Sequence, residues 1–277
     1  MTTSRDLDLR EELSRLTSSL GHADLVRQTL ERIASQDELV RFIQRYTLFN
    51  GNFAGGVANL AGTLHVRQEL FRDRSEPVAA CSDRSARIAS SIFFAAEDEY
   101  ADREDRKRIT HRDLGQSVLR HTIGYFDLDG ASFDGRFPLN RSTRDALALV
   151  FDGYCISPAS RSEDGLFRGL GFHIASETSA DEEFNAIDPY LRRSHPGLVE
   201  HLTAARTHLG HSVYSWFDQH TKVEVEHHEH AVEAAVSALH FYSGSASLDH
   251  LRATILDGVR LFDETLRLLF TRILEAD

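Results

Sequence analysis

Apolar residues recur at three- and four-residue intervals along nearly the whole chain, and no stretch of strict alternation bounded by turn residues interrupts them. That period gathers apolar side chains on one stripe of a helix and leaves no segments to pair as a sheet. The expected fold class is therefore all-α. Helices are expected at about residues 6–19, 23–48, 52–72, 84–102, 112–124, 143–156, 163–191, 197–208, 212–243 and 247–275. Breakers fall between them at Ser75-Glu76-Pro77, residues 127–138, Ser157-Pro158, His195-Pro196-Gly197 and Ser243-Gly244-Ser245. None of these is long enough to link domains. The chain reads as one helical domain over 1–277, with a core at about 40–243, onto which N-terminal helices at 6–39 and a C-terminal helix at 247–275 pack.

With 277 residues the chain should bury about 70–75% of the surface that it exposes when unfolded, so its core needs neither disulfides nor a structural metal. A metal here would serve chemistry. No apolar run approaches the roughly 18 residues of a membrane span, and the first residues lack a signal-peptide core, so a soluble cytoplasmic protein without a membrane partner is expected. The net charge of -12 without a basic block argues against nucleic acid as a partner. Cys81 and Cys155 stand far apart with no CxxC spacing and are expected to be buried thiols. Lys107 and Lys222 are the lysines of the chain, which makes Schiff-base chemistry a poor fit. The outlier is 15 histidines.

The densest run is Trp216-Phe217-Asp218-Gln219-His220-Thr221-Lys222-Val223-Glu224-Val225-Glu226-His227-His228-Glu229-His230. At about 100° per residue His220, Glu224 and His227 leave a helix within about 60° of one another. Two imidazoles and a carboxylate form a ligand set suited to iron, manganese or zinc. A His- and Glu-rich run is ordinarily a solvated face. This stripe, however, continues through Val213, Trp216 and Phe217 on one side and Ala231, Ala234, Ala235 and Ala238 on the other, so it is expected to point inward. Glu226, His228 and Glu229 fall to the sides or back and are assigned to solvent. Buried groups of this kind are costly unless paired or bound to metal.

Glu177 lies in a similar apolar stripe, with Leu166, Leu170, Ile174, Ala180, Phe184 and Leu191. Its alternative is an ion pair with one of the arginines. His173 and Asp181, one turn to either side, suit a supporting role, because metal-bound groups need orienting neighbours. Glu97 shares a face with Phe93, Phe94 and Tyr100, while Glu99 is expected to point the opposite way. His111 follows Thr110, a plausible N-cap, and taken alone would be surface decoration. Together Glu97, His111, Glu177, His220, Glu224 and His227 supply three carboxylates and three imidazoles from four helices, a number that suits two metals better than one. A single Glu-x-x-His pair, Glu224 to His227, counts against a ferritin-like bundle.

The element His220-Thr-Lys-Val-Glu224-Val-Glu-His227 resembles the third ligand motif of the heme-oxygenase-like diiron oxidases and oxygenases, relatives by fold of heme oxygenase and of the TenA and PqqC proteins. The family more often has Asp at the central position, where this chain has Glu224. Glu97, His111 in His-x-x-Leu, and Glu177 in Gly-x-x-x-Ala-x-Glu look like the remaining ligands, and Arg41 to Tyr46 is similar to the helix preceding the site. The resemblance spans about residues 40–240. It implies a heme-oxygenase-like helical bundle holding two Fe(II) per chain, O2 as co-substrate, an external electron donor and a small-molecule substrate, with a homodimer common for such folds. The implied reactions are N-oxygenation or oxidative C–C cleavage, here of an amine or amino acid because Arg168 and Asp181 flank the site helix. The competing expectations are a non-catalytic helical metal-binding protein and a cofactor-independent TenA/PqqC-like protein.

Overall fold

The computed structural model describes the backbone of residues 4–100, 109–220 and 224–276, and within these the side chains of all but 4–7, 98, 219, 220, 224 and 225. Its helices are α1 (Ser4–Ser18), α2 (His22–Glu31), α3 (Gln36–Asn50), α4 (Phe53–His65), α5 (Ala79–Ser82), α6 (Ser85–Tyr100), α7 (His111–Tyr125), α8 (Phe133–Arg136), α9 (Arg141–Gly153), α10 (Glu163–Ser194), α11 (Pro196–Ala204), α12 (Ser215–His220), α13 (Glu224–Phe241) and α14 (Leu248–Arg272). Among the described residues there is no strand beyond isolated bridges such as that between Phe71 and Tyr242. The all-α expectation holds.

Boundaries moved where side chains compete for the backbone. The helix expected at 23–48 is two, because Ser35 and Glu38 form a reciprocal capping box that starts α3 afresh. The helix expected at 52–72 ends at His65. The expected run at 212–243 is present as α12 and α13, with residues 221–223 between them outside the described set. Cys155 is buried as expected, and burial pushes its thiol up to about 12. Cys81 is instead exposed, on the short surface helix α5.

The axis of the bundle is α10, a 32-residue helix that packs chiefly against α14 and α13. Its crossing with α14 is set by two glycines. A Cβ at Gly171 would fall 1.8 Å from the Ile255 carbonyl oxygen, and one at Gly258 would fall 1.9 Å from the Arg168 carbonyl oxygen. Backbone therefore meets backbone, and only residues without a side chain permit it. Phe172 and Phe262 pack edge to face beside the crossing, with ring centroids 5.1 Å apart. The far end of α14 is tied down by buried Arg45, whose guanidinium donates to the carbonyls of Ile273 at 2.8 Å and Pro138 at 2.9 Å. No helix among the described residues is long and apolar enough to cross a membrane.

Candidate functional site

Four helices bring the site together: α10 supplies Glu177, α13 supplies His227, α6 supplies Glu99 and α7 supplies His111. Glu177 is 8% exposed and His227 5%. One carboxylate oxygen of Glu177, Oε1, lies 3.2 Å from Nδ1 of His173, and the other, Oε2, lies 3.4 Å from Nδ1 of His227. Burial pushes the Glu177 carboxyl up, but the His173 and His227 imidazoles outweigh it and hold the group well below the usual carboxylate range. The arginine pairing considered for Glu177 is not the arrangement found. His173 is almost completely buried, and its Nε2 has no hydrogen-bond partner. An orphaned buried imidazole nitrogen of this kind carries a cost that a structural role alone does not explain.

At the junction of α6 and α7 the carboxylate that faces inward is Glu99, correcting the expectation for Glu97. Glu99 Oε2 lies 3.3 Å from Nδ1 of His111, and their side chains are 18% and 12% exposed. Glu97 is exposed. The reason lies in the helix register. Ile88, Ile92 and Ala95 are buried at intervals of four and three, and Glu99 continues that stripe, whereas Phe93, which had anchored the other face, is itself 53% exposed. His111 opens α7 as expected, behind Thr110, whose hydroxyl accepts from the Asp113 amide at 2.9 Å.

The backbone of His220 and Glu224 closes α12 and opens α13, but both side chains lie outside the described residues. His228, assigned to solvent from the wheel, is half-buried, and its Nδ1 sits 2.8 Å from the Thr178 hydroxyl across the α10–α13 seam. Phe94 of α6 reaches the same seam, with its ring centroid 5.8 Å from that of His227. Asp181 turns outward to accept from exposed Asn185 at 2.7 Å. Arg168 is exposed, and neither it nor Asp181 lines the cavity described next. The charged pair that suggested an amine or amino acid is therefore not at the site.

A cavity of about 20 Å³ lies against Glu177. Phe49, Phe53 and Phe262 form its apolar side, and Glu99, Glu177, Glu183, Asn50 and Ser176 its polar side. That volume holds a water or a diatomic molecule. Ser176 and Ala180 do line it, as small residues near Glu177 can. Glu183 was not singled out from the sequence. It is 3% exposed and accepts from the Ser179 hydroxyl at 2.7 Å; burial pushes its carboxyl up to about 7. The available signal was its place at i+7 from Ser176, on the stripe that also carries Ala180.

The donor chemistry fits divalent metal. Two ligands held about 2.1 Å from one ion at near-tetrahedral or octahedral angles are about 3.0–3.4 Å apart. The separations of His227 from Glu177, 3.4 Å, and of His111 from Glu99, 3.3 Å, fall in that range. Among the described residues no group of three or more His, Cys, Asp or Glu could hold a metal by itself, and two of the six expected ligands have undescribed side chains.

No protein-family model and no curated protein matches this sequence. Among solved structures, it is similar to a CADD-like protein of unknown function from Nostoc punctiforme, with a TM-score of 0.65 and 13% identity over 98% of both chains. A TenA homologue from Pseudomonas syringae pv. tomato matches with a TM-score of 0.58 and 14% identity, over 98% of this chain and 92% of the other. At such identities the likeness shows the fold alone, an all-α bundle of the kind these two proteins have.

Proposed function

We propose that this protein is an O2-dependent non-heme diiron oxidoreductase acting on a small metabolite. The observation that carries the reading is the buried Glu177 carboxylate, met on both oxygens by imidazoles, next to a cavity of diatomic size. Glu177, His227, His111 and Glu99 would hold the metals, with Glu99 taking the place expected of Glu97, and His220 and Glu224 would complete the set. The iron pair, when bound, supplies O2 activation with electrons from an external donor.

The chain's own residues have separable tasks. His173 orients Glu177 from the buried side, in the way that a ligand's neighbour fixes its direction. Phe49, Phe53 and Phe262 keep bulk water from the cavity. Thr178 and His228 lock α10 to α13 and so set the spacing of Glu177 and His227. Oxidative C–C cleavage and N-oxygenation both remain compatible with these residues, and the substrate is a small molecule admitted next to the cavity.

The test is anaerobic reconstitution of the apoprotein with Fe(II), an iron count, and absorbance in the visible range on mixing with O2. About two irons per chain with a transient visible band is the expected result. Glu177→Gln and His227→Ala should each lower the iron count while the helical circular dichroism persists. Iron binding that is absent, or indifferent to both substitutions, would refute the diiron reading and favour a metal-free protein of the same fold.

A further inference from the structure

The His-x-x-x-Glu spacing of His220 and Glu224 recurs in α10 as His173-Ile-Ala-Ser-Glu177. One turn of helix separates His173 from Glu177, so imidazole and carboxylate leave from the same face. His173 is 1% exposed, and its Nδ1 lies 3.2 Å from Glu177 Oε1. That approach is not a hydrogen bond, because neither Nδ1 nor Nε2 of His173 has a hydrogen-bond partner among the described residues. A neutral imidazole has one donor and one acceptor nitrogen, and burying both unpaired is rare in a folded protein.

Two donors come this close without bonding to each other when both point at a third atom. Ligands about 2.1 Å from one metal ion are about 3.0–3.4 Å apart, and the His173–Glu177 separation falls in that range. The relation is repeated across the carboxylate, where Nδ1 of His227 lies 3.4 Å from Oε2. Each oxygen of Glu177 thus faces one imidazole nitrogen, from its own helix on one side and from α13 on the other.

We propose that His173 is itself a metal ligand through Nδ1, sharing one ion with Glu177 Oε1 while His227 shares a second with Oε2. The proposal rests on the diiron reading and adds a seventh donor to the six named there. His173 then orients Glu177 by holding the same ion. With His111, His220 and His227 it brings the imidazoles to four, against the three carboxylates Glu99, Glu177 and Glu224. Such a set fits a borderline divalent ion such as iron, cobalt or zinc better than magnesium or calcium, whose ligands are oxygens.

The test is proton NMR of the full-length protein loaded anaerobically with cobalt(II), in which the ring N–H of each ligating imidazole resonates far outside the ordinary range. Four such lines are expected in the wild type. The His173 line should be slow to disappear in D2O, since this ring is more deeply buried than those of His111 and His227. His173→Gln should remove it and lower cobalt affinity by about tenfold or more, with the helical circular dichroism unchanged. A neighbour that only orients Glu177 would also weaken binding when replaced, but every shifted line would remain. That result overturns the proposal and leaves the diiron reading standing. A wild type that takes up neither cobalt nor iron overturns both. His173→Phe, matched to the apolar surroundings, takes the place of the glutamine variant if that one does not fold. Should neither fold, ring-15N histidine in the wild type counts the ligating imidazoles directly: four support the proposal and three overturn it.

Discussion

The first half of α10, from Gly165 to Phe172, and the second, from His173 to Phe184, are both largely buried, but by opposite means. In the first half Gly165, Gly169 and Gly171 let neighbouring elements press against the backbone, and Leu166, Phe167, Leu170 and Phe172 fill the space between. In the second half the buried residues include His173, Ser176, Glu177, Ser179 and Glu183. Steric contact holds one region together. The other region gathers polar groups around a cavity, with His173 Nε2 left unpaired, and their arrangement costs folding energy unless something is gained from it. A substitution should accordingly read out as lost stability in the first half and as altered binding or titration in the second.

The largest effect is expected at the glycine crossing. Gly171→Ala sets a methyl group against the Ile255 carbonyl, and the helices must move apart to admit it. Urea denaturation should show a loss of about 3 kcal/mol or more, at the upper end of what overpacking costs. The fraction that remains folded should still take up iron. A loss below about 1 kcal/mol would mean that α10 and α14 can separate cheaply, and the contrast between the halves would be weaker than drawn.

That contrast was half legible in the sequence. Helical class, the inward stripe of Glu177 and the N-cap at Thr110 follow from period and residue type alone, because they depend on local geometry. The face of Glu97 and Glu99 did not follow, since both lie on plausible stripes and the choice is made by which neighbours are buried. Exposed Phe93 misled where buried Ile88, Ile92 and Ala95 would have led to Glu99. Glu183 escaped notice for a related reason: a carboxylate two turns past another reads as surface charge until tertiary packing encloses it. His228 was lost to the wheel because the partner that half-buries it, Thr178, belongs to another helix. The split at Ser35 is a local signal, the capping box with Glu38, present in the sequence and overridden by an apolar pattern that runs through it.

The next effect in size sharpens the second half. Glu183 has a folded-state titration raised from 4.5 to about 7. The folded protein therefore holds a proton that the unfolded chain releases between those values, and stability falls as pH rises through this window. Glu183→Gln removes the dependence. Wild type and variant should run parallel below about pH 4.5 and separate by about 3 kcal/mol in favour of the variant by pH 8, as a shift of this size implies. Denaturation midpoints that stay parallel from pH 5 to 8 would show that the enclosed acid is not neutral.

The smallest stability effect is the most informative about how the two halves communicate. Thr178 is one residue past Glu177, and its hydroxyl links α10 to His228 of α13, the neighbour of His227. Thr178→Val keeps the shape and removes the bond, leaving the His228 nitrogen without that partner in a half-buried seam whose burial already lowers its titration. The expected cost is about 1 kcal/mol, the net worth of one such hydrogen bond. Iron affinity should fall further than this suggests, by about tenfold, because the spacing between Glu177 and His227 depends on the seam as a ligand depends on the neighbour that orients it. Anaerobic Fe(II) titration against urea denaturation on the same preparation separates the two quantities. If stability drops and affinity does not, the seam is packing alone and the second half of α10 holds its carboxylate without help from Thr178.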